Sequence, residues 1–129
     1  MYMAIKLMMF SSGLLALLAL FSPASHAAST AKLSLTAQFV DFSLGDAEHY
    51  LFKDKDGKEW EFNGCQDKKI GFAYELPEKE ANSDNQGWGP NKSLVGKWFK
   101  LSYQIKKQPR YEGGPPEAVK IITAVSRAQ

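Results

Sequence analysis

One short segment, DKDGKEWEFNGC over residues 54–65, comes closest to the pattern of a metal-binding loop. A calcium loop of the helix–loop–helix type needs oxygen ligands at positions 1, 3, 5 and 12 around a glycine at position 6. Gly57 at position 6 puts Asp54 and Asp56 at positions 3 and 5, but Phe52 and Asn63 then occupy positions 1 and 12. The bidentate carboxylate is missing and the flanks alternate as strands do, so the segment predicts a turn and no metal site.

Groups that could perform catalysis are few in the rest of the chain. Beyond residue 27 the only histidine is His49 and the only cysteine is Cys65. One histidine and one cysteine cannot complete a zinc site within one chain. No phosphate loop or dinucleotide fingerprint is present. Glu59 and Glu61 share a strand face and could act as acid and base, but the lysines around them favour a solvated face. The sequence therefore predicts a protein that is not an enzyme, with no catalytic residue, metal or cofactor.

The elements that position these residues are predicted to be β-strands, beginning with a long first strand. Apolar and polar residues alternate from Leu33 to Phe39, and the apolar phase then shifts by one residue from Val40 to Leu44. Such a shift turns every later side chain to the other face unless a bulge absorbs it. We therefore predict a bend near Phe39 and Val40.

The second and third strands are predicted to form a hairpin around the opening segment. A three-residue loop over 55–57, with its glycine in the left-handed conformation, matches the alternation on both sides. This register sets two aromatic pairs on one face and one pair of opposite charges on the other: Phe52 with Trp60, Tyr50 with Phe62, and Lys53 with Glu59.

A long connection and two further strands complete the pattern. The connection covers residues 63–93, with a short apolar piece at 70–74. Alternating apolar residues then predict a fourth strand (Phe99, Leu101, Tyr103, Ile105) and a fifth strand over 119–125.

This order of strands resembles the OB fold, a five-stranded Greek-key barrel whose third and fourth strands are joined by an excursion. Residues 94–97, LVGK, also resemble the glycine turn that opens the fourth strand in such domains. The resemblance is one of pattern, without a diagnostic motif. The predicted fold class is all-β, a small OB-like five-stranded barrel with a long connection between strands three and four; a small β-sandwich is the alternative.

The first 27 residues are predicted to be a secretory signal peptide. Lys6 precedes an apolar stretch of 15 residues over 7–21, which is shorter than the roughly 20 residues of a membrane span and suits a signal sequence. Cleavage after Ala27 would leave residues 28–129 as one OB-like domain without a membrane span. We expect the protein to be periplasmic or secreted.

The formal net charge of +2 identifies no partner by itself. Its distribution is uneven, because residues 28–90 hold 7 basic and 12 acidic side chains, net −5, whereas residues 91–129 hold 8 basic and 2 acidic, net +6. The C-terminal part could bind an anionic partner, or the two parts neutralise each other in the fold.

Binding residues are better supplied than catalytic ones. The resemblance implies ligands over strands two and three and over the loops joining strands one to two and four to five. The candidate ligand- or partner-binding residues are therefore the aromatic and basic ones near those loops and in the long connection: Trp88, Trp98, Lys106, Lys107, Arg110 and Tyr111. Trp88 and Trp98 could instead pack beneath the connection.

The predicted function is a non-enzymatic exported binding or interaction module that acts on a protein or a cell-envelope component. The alternative is a periplasmic carrier of a small molecule or oligosaccharide. An exposed patch at Trp98 would favour a protein interface, whereas Trp88 buried beside a concave apolar pocket would favour a carrier.

Two further expectations concern partners. The outer hairpin face, with Lys53, Glu59 and Glu61, mixes charges and lacks aromatic residues, which disfavours nucleic acid. Cys65 has no second cysteine to pair with in its own chain, so it either forms an intermolecular disulfide or stays a thiol.

Overall fold

The computed structural model describes residues 32–129, so the predicted signal peptide and its cleavage site lie outside the described residues. This part of the chain is all-β apart from one 3₁₀ turn at Glu78–Glu80. Its strands are β1 (Leu33–Leu44), β2 (Glu48–Asp54), β3 (Glu59–Phe62), β4 (Ala73–Glu75), β5 (Trp88–Pro90), β6 (Trp98–Pro109) and β7 (Pro116–Arg127).

Five strands form one antiparallel sheet in the order β3-β2-β1-β6-β7, and β4 pairs with β5 in a separate two-stranded ribbon. The predicted all-β class is confirmed, but the five strands do not close into a barrel. The chain after β3 meets the opposite edge over three backbone hydrogen bonds of 2.8 Å, in which Asn63 N donates to Lys120 O, Ile122 N to Gly64 O, and Gln66 N to Ile122 O. The two edges of the sheet therefore meet over a short parallel contact and not along whole strands.

The predicted bend in the first strand is confirmed. The register between β1 and β2 shifts between Phe39 and Asp41, which leaves Val40 as the extra residue of a bulge. The turn before β6 supports this bend, because Phe39 N donates to Lys97 O at 2.9 Å and Gly96 N donates to Phe39 O at 2.8 Å. Gly96 has a φ of 87°, a conformation that glycine adopts at little steric cost.

The predicted hairpin register is also confirmed. The three predicted pairs are found between β2 and β3: Tyr50 with Phe62, Phe52 with Trp60, and Lys53 with Glu59. Gly57 closes the three-residue loop with a φ of 81°. Local turn chemistry therefore determines which aromatic side chains meet on the core face.

β6 and β7 form a long hairpin whose far end extends beyond the core. Phe99, Leu101 and Tyr103 are buried, as their alternation predicts, whereas Ile105 on the same face is 52% exposed. Every residue from 105 to 113 is exposed. We call residues 105–118 the β6–β7 tip.

The core is built largely of aromatic rings, and one of them comes from the long connection. Phe72 is 2% exposed, and its ring centroid lies 4.8 Å from that of Phe39, 5.3 Å from Phe52 and 5.0 Å from Phe99. Aromatic pairs at these separations add to the free energy gained from area burial. The connection between β3 and β6 is thus packed into the core of the sheet.

Candidate binding site

Trp88 is held at the start of β5 by a tight turn. Its backbone N–H donates to Asn85 O at 3.0 Å, and the Asn85 side-chain oxygen accepts from Gly87 N at 2.8 Å. Gly87 has a φ of 83°, which completes the turn. Trp88, which follows this turn, is 38% exposed, which leaves a large apolar side chain partly in water.

Two shallow cavities of about 280 and 310 Å³ lie beside the indole. Four residues border both of them: Tyr50, Lys68, Ala73 and Trp88. The first cavity also borders Cys65 and Asp67, and the second also borders Phe42 and Glu48. Because the two cavities share these walls, we treat them as one site, the Trp88 groove, formed by β1, β2 and the long connection.

A hydrogen bond joins two polar groups at the edge of the groove. The Tyr50 hydroxyl donates to Glu48 Oε1 at 2.6 Å. Burial, and then this hydrogen bond, raise the pKa of Tyr50 well above its usual range. The phenol therefore stays protonated, and the Glu48 carboxylate keeps a donor from within the protein.

Asp67 and Lys68 are adjacent in the chain but differ in their bonding. Asp67 Oδ1 accepts from Lys69 N at 3.1 Å, and Asp67 Oδ2 accepts from Val125 N at 2.9 Å. These two backbone donors hold the pKa of Asp67 below its usual value. The Lys68 side chain is exposed and has no ion-pair partner within residues 32–129.

Cys65 lies beneath the surface of the groove. It is 7% exposed, and its Sγ donates to Asp67 O at 3.1 Å. Burial raises the pKa of the Cys65 thiol, so the thiolate that would form a disulfide is disfavoured. An intermolecular disulfide through Cys65 stays a prediction, and this placement does not favour it.

Another cavity, of about 380 Å³, lies elsewhere on the long connection. It borders Tyr74, which pairs with Gly89 and therefore faces away from Trp88 on the β4–β5 ribbon. All of its lining residues come from residues 74–93. It is a concavity within one loop, whereas the Trp88 groove joins the loop to the sheet and carries an exposed indole, so we take the groove as the better candidate.

The six residues singled out in the sequence do not form one surface. Trp98 is the half-buried first residue of β6, and Arg110 and Tyr111 follow the other end of that strand. Roughly 40 Å of strand separates the two ends. Lys106 and Lys107 are exposed neighbours on the β6–β7 tip and point to opposite sides of it.

Acidic side chains already surround Arg110. Its Nε donates to Glu117 Oε2 at 3.2 Å, and its Nη1 lies 4.0 Å from Glu61 Oε2. The same Glu61 oxygen lies 3.2 Å from His49 Nδ1. The guanidinium is therefore largely neutralised within the protein and is a weaker candidate for an anionic partner than the sequence indicated.

Sequence reasoning identified Trp88 but missed the residues that surround it. The alternation in β2 predicts Tyr50 as a core residue, and Lys68 lies in a run of mixed charges with no distinguishing pattern. Glu48 and Lys68 come together at the groove only because the connection folds back over β2. No local signal in the sequence reports that contact.

No protein-family model matches this chain, and no curated protein or solved structure matches it either. The resemblance to the OB fold therefore rests on strand pattern alone. Among residues 32–129, no helix is long and apolar enough to cross a membrane. The same residues contain no cluster of three or more His, Cys, Asp or Glu side chains suited to a metal ion.

Proposed function

We propose that this protein is an exported, non-enzymatic binding module whose ligand site is the Trp88 groove. The observation that carries this proposal is Trp88, a residue left 38% exposed beside concave, mostly apolar cavities. Small-molecule sites are typically concave and apolar, with a few polar groups that orient the ligand. Trp88 is exposed and not buried as a carrier was expected to have it, and Trp98 is half-buried and forms no exposed patch. The concave, apolar form of the groove is what favours a carrier of a small molecule or oligosaccharide over a module that binds protein.

An OB-like Greek-key arrangement, left partly open, is part of this proposal. A β-sandwich needs two sheets packed face to face, whereas here the second sheet is only the two-stranded β4–β5 ribbon and the five-stranded sheet brings its own edges together near Ile122. In an OB-like arrangement the excursion between β3 and β6 covers the sheet, and this is the segment that carries Trp88.

Native mass spectrometry of the protein purified gently from its own cells tests the proposed site. We expect an additional small-molecule mass on the wild-type chain, loss of that mass from Trp88→Ala, and retention in Tyr74→Ala, which alters the other cavity. A wild-type protein that carries no additional mass would contradict the proposal, as would a ligand lost only from Tyr74→Ala. The mass of the chain also reports whether residues 1–27 have been removed.

A protein or envelope component bound at the β6–β7 tip is the second candidate. Ile105 is 52% and Tyr111 is 39% exposed on this tip, close to Lys106 and Lys107. Exposed apolar side chains among charged ones are typical of interaction surfaces.

Affinity capture from a cell-envelope extract tests this second candidate. We expect the double variant Ile105→Ser, Tyr111→Ala to lose a partner that wild type retains. Val95→Ser is the matched control, because Val95 is 43% exposed outside the tip. Equal capture of the partner by the wild type, the double variant and the control would show that the β6–β7 tip is not the interface.

A further inference from the structure

The charged groups around the Trp88 groove indicate the chemical class of its ligand, an inference that rests on the proposed function. Two carboxylates border the groove, and both accept hydrogen bonds from the protein. Glu48 accepts from the Tyr50 hydroxyl, and Asp67 accepts from the backbone amides of Lys69 and Val125. Both carboxylates therefore accept hydrogen bonds from the protein itself when no ligand is bound.

Lys68 differs from the two carboxylates. It borders both cavities, and within residues 32–129 its ammonium has neither an ion-pair partner nor a side-chain hydrogen bond. An ammonium offers three donors and no acceptor. Glu48 and Asp67 keep their negative charges, but each borders only one cavity, whereas Lys68 is the one charged residue that borders both and the only cation among their lining residues. An anionic group on a ligand would complement this ammonium.

The apolar surface of the groove determines which uncharged part of a ligand can pack there. Tyr50 is 3% and Phe72 is 2% exposed, so the accessible aromatic surface belongs mainly to Trp88. A flat or ring-shaped apolar body packs well against one face of an indole. The small side chain of Ala73, which borders both cavities, leaves room beside that face.

We infer that the Trp88 groove binds a small amphipathic organic anion, with an apolar ring against Trp88 and an acidic group at Lys68. A neutral oligosaccharide could also pack against the indole, but it would gain little from the ammonium. The contribution of Lys68 to affinity therefore separates the two ligand classes.

Two fluorescent probes with the same ring system provide the test. 1-Anilinonaphthalene-8-sulfonate carries a sulfonate, and N-phenyl-1-naphthylamine lacks it. Each is titrated against the full-length gene product as processed in the cell, in wild-type form and as Lys68→Gln, Lys69→Gln and Trp88→Ala. Lys69 is the matched control, because it is an exposed neighbouring lysine that borders neither cavity.

We expect one sulfonate probe to bind per chain, more tightly than the neutral probe. Lys68→Gln should weaken sulfonate binding about three- to tenfold, the range for an exposed charge-assisted contact. Lys69→Gln should leave it unchanged, and added salt should weaken only the sulfonate probe. Trp88→Ala should weaken both probes, with an unfolding midpoint close to that of wild type.

Three results would overturn the inference: no sulfonate binding, equal affinity for both probes in wild type, or equal effects of Lys68→Gln and Lys69→Gln. If both probes still lose affinity in Trp88→Ala, the proposed binding function survives and only the anionic class is wrong. If neither probe depends on Trp88, the proposed function fails together with the inference.

Discussion

The ring of Phe72 lies 5.0 Å from that of Phe99, centroid to centroid, at an interplanar angle of 83°. This edge-to-face contact joins the long connection to the start of β6. Phe72 also borders the Trp88 groove, on the cavity that includes Cys65. One side chain therefore contributes both to the core and to a wall of the candidate site.

Phe72→Ala should destabilise the fold by about 3–5 kcal/mol, the usual cost of removing a buried phenylalanine ring. Urea unfolding followed by far-UV circular dichroism measures this change. Tyr74→Ala, two residues away and 52% exposed in wild type, should cost less than about 0.5 kcal/mol. Similar costs for the two variants would mean that the connection is not anchored through Phe72.

Gly57→Ala should destabilise the β2–β3 hairpin by about 1 kcal/mol, because a side chain disfavours its left-handed backbone. No atom lies within 4 Å of a Cβ built on Gly57, so the cost comes from the backbone and not from a clash. Gly45→Ala is the control, since that site is also open and has no positive φ. Gly57→Asn should recover part of the loss. Equal unfolding free energies for the two alanine variants would contradict the prediction.

Asp54 should make stability depend on pH in the acidic range. Its pKa is lowered by a hydrogen bond from the Trp60 indole at 3.0 Å, and then by the backbone amides of Lys58 and Asp56. A carboxyl whose folded pKa lies below its unfolded value, about 3.9, stabilises the fold above that value. The stabilisation disappears as the pH falls through the folded pKa.

Thermal unfolding of Asp54→Asn at several pH values tests this effect. The variant should melt below wild type at pH 6, and the difference should narrow as the pH falls below about 4. Asp46→Asn is the control, because the Asp46 carboxylate accepts no hydrogen bond within residues 32–129. A difference between wild type and Asp54→Asn that stays constant with pH would show that charge on Asp54 is not involved.

The Cys65 thiol should react slowly in the folded protein. Burial raises its pKa and limits access, so modification by 5,5′-dithiobis-(2-nitrobenzoate) at pH 8 should be roughly tenfold or more slower than in urea. Equal rates in the two conditions would mean that the site opens readily. In that case an intermolecular disulfide becomes the better expectation.

Arg110 should restrain the β6–β7 tip with little effect on global stability. The pairs with Glu117 and Glu61 are partly exposed, and such pairs contribute less than about 1 kcal/mol. Arg110→Gln should therefore leave the unfolding midpoint nearly unchanged while hydrogen exchange across residues 105–118 becomes faster. Lys107→Gln removes a charge that has no ion-pair partner among the described residues 32–129, so it should not change the exchange rate. Unaltered exchange in Arg110→Gln would show that these pairs do not hold the tip.

Much of the sheet could be predicted because its signals are local. The one-residue shift after Phe39 predicts the bulge, and the three-residue loop ending at Gly57 predicts the register of β2 and β3. The β4–β5 ribbon was not predicted, since each of its strands has only three residues and a glycine lies within one of them. Alternation cannot be recognised over so short a length.

The sequence by itself determined which side chains alternate, where the chain turns and that the cysteine has no partner in its own chain. Only the tertiary structure decided which of those side chains are neighbours. It placed Lys68 beside Trp88, separated Trp98 from Arg110, and paired that arginine with Glu61. The physical reason is that periodicity assigns a residue to a face of its own strand, whereas contacts between distant segments depend on how the whole core packs.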